Sequence, residues 1–187
     1  MNRVLATSSR YYSKRVSQVL NELSTALPGV EKVVRGKQSY KDLLEEAILR
    51  GARYILLVFS RHGNPSALRV IDVERRAWFP YELAISGVKT REDMPAFVLR
   101  KPRAASAAIV DYTASELPDI LMTIFGYPLL FSAELDKIKG RYDTIVLVRG
   151  SPGRYIIELI DGSDLGPRGL ILKIKAIKLI RNAQNIV

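Results

Sequence analysis

The stretch YILLVFSRHGNPSALRVIDV, residues 54–73, joins a continuous apolar run, an arginine-bearing turn with Gly63 and Pro65, and a second apolar run. An apolar run without alternation is the pattern of a strand covered on both faces, and the Gly/Pro turn folds the chain back as a hairpin. The same order returns downstream in DTIVLVRGSPGRYIIELID, residues 143–161, where Gly150, Pro152 and Gly153 make the turn between Arg149 and Arg154. The recurrence marks an internal duplication. Two copies are too few for a solenoid. The expected fold class is therefore α/β, as two pseudo-symmetric α/β halves with mixed sheets.

Upstream of each hairpin the text reads strand, then helix. Residues 3–7 form a short buried strand bounded by serines. The following helix carries Val16, Val19, Leu20, Leu23 and Leu27 at three-and-four spacing and stops at Pro28 and Gly29. Ser8 and Ser9 are read as caps for its first turn. After the apolar piece VEKVV, Ser39 and Asp42 give a capping-box start to a second helix with Leu43, Leu44, Ala47 and Ile48 as its stripe. Beyond the first hairpin, Phe79, Tyr81, Leu83 and Ile85 share one face of a further strand, and Pro80 calls for an edge position or a bulge. In the second copy AAIVDY is the strand, Thr113 and Glu116 are the capping pair, and Leu117, Ile120, Leu121, Ile124 and Phe125 make the stripe up to Gly126. The halves are placed at about 1–88 and 104–187. A basic connection, 89–103, holds the cluster RKPR from Arg100 to Arg103. In the tail LILKIKAIKLIR, Lys173 and Lys175 share a strand face, and Lys178 breaks the parity, which predicts a bulge near 176–178. Those lysines either guard an exposed strand edge or contact RNA, and the pattern alone leaves both open.

Composition narrows the chemistry. The chain has 187 residues, 29 Lys and Arg against 19 Asp and Glu, and a net charge of +10, which favours a polyanionic partner. With no cysteine and one histidine, thiolate catalysis, disulfides and Cys/His zinc sites drop out, and no metal or cofactor is expected. A serine triad would need His62, which lies in a turn, and no G-x-S-x-G elbow is present. The P-loop pattern fails because Glu31 stands where its first glycine belongs. Asp42, Glu45 and Glu46 read as a helix's polar face, and Asp161 and Asp164 as turn residues, so a magnesium-dependent enzyme is not the expectation. No apolar run of about 18 residues and no signal-peptide order occurs, so a cytoplasmic protein with no membrane partner is expected.

Four motifs in order carry a resemblance. TSSRYYSKRVSQVLNELSTALPG, then VVRGKQSYKDLLEEA, then YILLVFSRHGNPSAL, and finally LGPRG resemble the Brix-domain family of ribosome-biogenesis proteins over residues 4–180. The family pattern falls on Ser9, Arg10 and Ser13, on Arg35 and Gly36, on Arg61, Gly63 and Pro65, and on Gly166, Pro167 and Arg168. The chain departs from it at Tyr12, where the opening motif usually carries proline. With little beyond the bare domain, it looks like an archaeal single-domain member. The resemblance implies that each half is similar to the anticodon-binding domain of class II aminoacyl-tRNA synthetases. It also implies a role in rRNA processing and subunit assembly.

The expected activity is non-enzymatic binding of ribosomal RNA or its precursor. Ser8, Ser9, Arg10, Lys14 and Arg15 would cradle phosphate at the first helix start. Arg35, Gly36 and Lys37 would add charge at the second, with Arg61, His62 and Arg168 as further contacts and Arg149 and Arg154 as secondary candidates. Tyr11, Tyr12 and Trp78 are read first as core or staple residues. The alternative is a protein-interaction scaffold that binds ribosomal proteins or other assembly factors.

Overall fold

The computed structural model describes residues 1–95, 101–180 and Ile186. In chain order these form β1 (Val4–Ser8), α1 (Lys14–Ala26), β2 (Val30–Lys32), α2 (Tyr40–Leu49), β3 (Tyr54–Arg61), β4 (Asn64–Asp72) and β5 (Ala77–Thr90). A 3-10 turn, Arg91–Asp93, closes the first half. The second half repeats the order with β6 (Ala107–Asp111), α3 (Glu116–Phe125), β7 (Leu129–Phe131), α4 (Leu135–Ile138), β8 (Thr144–Arg149), β9 (Tyr155–Asp161) and β10 (Pro167–Leu179).

All ten strands join one sheet in the order β2-β1-β3-β4-β5-β10-β9-β8-β6-β7. That string is its own mirror when β1 to β5 are exchanged for β6 to β10. β1 pairs in parallel with β2 and β3, as β6 does with β7 and β8. The remaining neighbours are antiparallel, including β5 with β10 at the seam. The duplication read from the two hairpins is thus a pseudo-twofold in the sheet.

The halves share one core on one face of the sheet and keep separate clusters on the other. Val16, Leu20 and Leu23 of α1 and Leu117, Ile120 and Ile124 of α3 pack on one face of the sheet, within a single cluster that takes side chains from both copies. On the other face, Leu43, Leu44 and Ala47 of α2 pack on Leu5, Ile55 and Leu57, and Ile138 of α4 packs on Val110, Ile145 and Leu147. Hydrogen bonds tie the copies further. Tyr127 donates to the Pro28 carbonyl at 2.6 Å and Thr144 to that of Ala26 at 2.6 Å, both across the pseudo-axis. Burial pushes the Tyr127 phenol far above its ordinary pKa, so it remains a donor.

Several local expectations are corrected. Ser8 and Ser9 do not cap α1, because β1 runs to Ser8 and the Ser9 N–H bonds the Val58 carbonyl at 2.9 Å. The cap is Ser13, whose hydroxyl accepts from the Val16 N–H. In the second half Ser115 caps α3 instead of Thr113. The Asp111 carboxylate accepts from the N–H groups of Thr113 and Ala114, and this turn, with Ala114 at φ 50, delays the helix. The capping box of Ser39 and Asp42 is present as expected. Pro80 lies in a register shift between β4 and β5, so of edge and bulge the bulge is realised. β5 continues to Thr90, two residues into the supposed connection. The bulge in β10 is at Lys175, just before the expected place. Arg100 of the RKPR cluster lies outside the described residues, as does Arg181 of the tail.

Candidate nucleic-acid interface

The parallel order of β1 and β3 leaves the loop after β1 and the β3–β4 turn at the same end of the sheet. Two hydrogen bonds lock them together. Ser13, already the α1 cap, donates its hydroxyl proton to the Gly63 carbonyl at 2.7 Å, and the Ser60 hydroxyl donates to the Tyr11 carbonyl at 3.3 Å. Gly63 and His62 both take positive φ, 79° and 50°, which gives the tight turn its shape. Between them lies a groove of about 410 Å³ lined by Tyr11, Tyr12, Ser13, Ser60, His62 and Gly63.

The rim is cationic. Arg10 and Arg61 are exposed beside the groove's own residues in the chain, and Lys14, the first residue of α1, has a side chain 87% exposed and 4.0 Å from Glu92. The first turn of α1 contains no acid of its own, and the carboxylates that approach it, Glu92 and Asp93, come from the 3-10 turn. Tyr11 is 78% exposed and Tyr12 more than half exposed, which corrects their reading as core residues, while Tyr12 keeps a staple-like contact across the cap to Ser17. Tyr12 donates to the Ser17 hydroxyl at 2.6 Å. Lys32 lies 5.9 Å from the centre of the Tyr12 ring, so it belongs to the same surface. Nothing in VEKVV signalled Lys32, since its approach to Tyr12 depends on how β2 packs beside α1. Trp78 is the partly buried residue expected, edge-on to Tyr40 at 5.2 Å.

None of the sequence-family profiles compared with the chain matched it. A curated protein from Pyrobaculum aerophilum, a probable Brix domain-containing ribosomal biogenesis protein, is 49% identical over 175 residues, 94% of each chain. The chain belongs to the Brix-domain family. A namesake from Saccharolobus solfataricus is 38% identical over 91 residues, which is 49% of this chain and 53% of that one. Among solved structures, a probable ribosomal biogenesis protein from Aeropyrum pernix has a TM-score of 0.73 at 24% identity, covering 97% of this chain and all of that one. Mil, an archaeal Imp4-like protein, has a TM-score of 0.67 at 23% identity, covering 95% of this chain and all of that one. These two likenesses concern the fold.

In this Brix-domain chain the remaining candidates separate from the groove. Arg15 turns inward, donating to the Val88 carbonyl at 2.9 Å and pairing with Asp93 at 2.5 Å, and so fastens α1 to the end of β5. Arg35 is only 3% exposed. Its guanidinium lies 4.3 Å from the Tyr40 ring centre and donates from Nε to the Gln38 carbonyl. Gly36 takes φ 55 in the exposed turn after it, and Lys37 is exposed there. Arg168 is buried in the other half, on Asp161. Lys101 and Arg103 of the connection are also engaged, with Asp164 and the Val30 carbonyl. Among the described residues no helix is long and apolar enough to cross a membrane, and no cluster of acidic and histidine side chains could hold a metal. The residual void inside the core, about 30 Å³, is about the size of one water.

Arg15 also makes an acid-side prediction. Its hydrogen bond, with that of the Thr90 N–H, holds the Asp93 carboxyl below the usual aspartate range. The Ala105 N–H does the same for Asp143, and Lys101 for Asp164. A carboxyl whose folded pKa is depressed contributes stability above its unfolded value, near 3.9, and loses it as pH falls through the lower folded value. The urea midpoint therefore stays level near neutrality and drops from about pH 4 downward. Arg15→Gln lowers stability at pH 7 by about 1–2 kcal/mol, and Asp93→Asn flattens the acid limb. An acid limb unchanged in Asp93→Asn would remove Asp93 from this account.

Proposed function

We propose that this protein is a non-enzymatic ribosome-biogenesis factor that binds ribosomal RNA or its precursor through the groove between the α1 start and the β3–β4 turn. One observation carries the reading: Ser13 joins a helix start without acids of its own to a turn bearing Arg61 and His62, and two exposed tyrosines stand between them. Cations supply affinity for the phosphate backbone, and exposed rings offer stacking surfaces for bases. The pseudo-equivalent position in the second half sharpens the contrast. There Asp111 closes the turn, and Glu116 and Asp119 occupy the first turn of α3, so that helix start repels phosphate. The first half thus does the gripping. In the same reading each half is built like the anticodon-binding domain of class II synthetases, and the protein acts in the cytoplasm.

The test is titration with rRNA fragments across a salt series, comparing wild type with the folded triple variant Arg10→Gln, Lys14→Gln, Arg61→Gln. Each lost phosphate contact makes the slope of log K on log salt shallower by about 0.7–0.9, so the triple loses about two to three in slope. Equal slopes for the two proteins sink the groove. Arg15 is left intact because its loss would loosen α1. A scaffold reading draws on the edge strand β7, where Phe131 is exposed. It gains if wild type binds no RNA.

A further inference from the structure

Of the tail lysines, Lys175 and Lys178 lie where β10 has one open side, but Lys173 is not where an edge-guarding role needs it. β10 is hydrogen-bonded to β5 on one side and, as far as Ile174, to β9 on the other. An open edge exists only beyond that point, so Lys173 guards none.

Alternation decides which way these side chains face. Leu172, Ile174 and Ile177 of β10, with Leu83, Ile85 and Val88 of β5, point into the core shared by α1 and α3. Lys173 and Lys178, with Lys89 on β5, therefore stand on the opposite face. Lys175 is the unopposed, exposed residue of the bulge between them. Lys173 lies opposite Gly87, and its side chain runs over that glycine, where a Cβ would come within 3.4 Å of the lysine Cδ. Along β10 the lysines cover about 16 Å at strand spacing.

No helix among the described residues packs on this face at the seam. α2 lies over β1, β3 and β4 to one side, and α4 over β6, β8 and β9 to the other. Two acids are present there. Glu158 pairs with Arg149 at 2.6 Å, and Glu82 is 3.4 Å from Lys178 and 3.8 Å from Arg69. Lys89, Lys173 and Lys175 have no carboxylate within ion-pair distance among the described residues, so their charge is available. Among the described residues no exposed aromatic ring belongs to this face. It can hold phosphates but cannot stack bases.

Resting on the reading that RNA is the partner, we propose that the outer face of the β5–β10 seam is a second RNA surface, holding the phosphate backbone of a double-helical segment while the groove takes unpaired nucleotides. The face lies on the pseudo-twofold and takes lysines from both copies, so neither half has it alone.

The experiment measures binding of the full chain to an RNA duplex and to a single strand of the same length, over a salt series. Three variants are compared with wild type: Lys89→Gln with Lys173→Gln and Lys175→Gln, the same three positions changed to Arg, and the groove triple above. Thermal unfolding checks each fold. The glutamine seam variant should bind duplex at least tenfold more weakly, with a slope shallower by about two to three. It should keep its single-strand affinity, and the arginine variant should restore duplex binding. Wild-type duplex affinity and slope in the glutamine variant overturn the inference. So does a loss of affinity for polyglutamate with duplex binding intact, which would make the partner an acidic protein. A wild type that binds neither RNA overturns the proposed function itself. Loss confined to the groove variant leaves that reading standing and removes only the seam.

Discussion

Arg168→Met lowers the unfolding free energy by about 3–5 kcal/mol, because it strands a buried carboxylate. The arginine is 5% exposed, and its Nη1 donates to the Asp161 carboxylate at 2.7 Å and to the Asp143 carbonyl at 2.9 Å. Its Nη2 donates to the Pro102 carbonyl at 2.5 Å. One side chain thus joins the end of β9, the start of β8 and the connection between the halves. Without it Asp161 keeps only Ser163 and a distant Lys101, 3.8 Å away. Urea unfolding at pH 7 measures the loss. Adding Asp161→Asn to Arg168→Met should recover part of it, since the stranded charge is then gone. A loss below about 1 kcal/mol, or no recovery in the double variant, would sink this account. The same variant bears on the RNA expectation for Arg168. Under conditions where it remains folded, it should bind rRNA fragments as wild type does.

Leu20→Ala and Leu117→Ala each cost about 3–5 kcal/mol, the range for removing a fully buried leucine that leaves a cavity. Leu20 is the α1 anchor and Leu117 the α3 anchor, and both are completely buried in the one cluster shared by the copies. The two substitutions should therefore shift a single cooperative transition, with the same m value as wild type. Two transitions, one moved by each variant, would mean that the halves fold independently despite the continuous sheet. Circular dichroism and intrinsic fluorescence followed in the same urea titration separate these outcomes, because Trp78 reports only on the first half.

Much of the architecture was legible in the chain. The two hairpins, the stripes of α1 and α3 and the capping box of α2 are set by contacts a few residues apart, which periodicity records directly. The helix starts were harder. Ser8 looks like a cap, but pairing of β1 with β3 extends past it, and Asp111 moves the start of α3 by bonding forward into its own turn. In both cases a competing hydrogen bond outweighed a local preference.

The candidate site divides along the same line. The sequence alone determined that the protein carries a large excess of positive charge, has no cysteine and a single histidine, and is a duplicated α/β fold, since these depend on composition and short-range order. The tertiary structure decided which cations are exposed. Arg10 and Arg61 face solvent beside one groove and Lys14 is exposed there at 4.0 Å from Glu92, whereas Arg15, Arg35 and Arg168, equally cationic in the sequence, are buried or half-buried against Asp93, Tyr40 and Asp161. It also placed Lys173 of β10 between two paired strands, with Lys175 and Lys178 beyond the end of the β9 pairing. Whether a guanidinium meets water or a carboxylate depends on partners distant in the chain, and only the folded sheet brings those together.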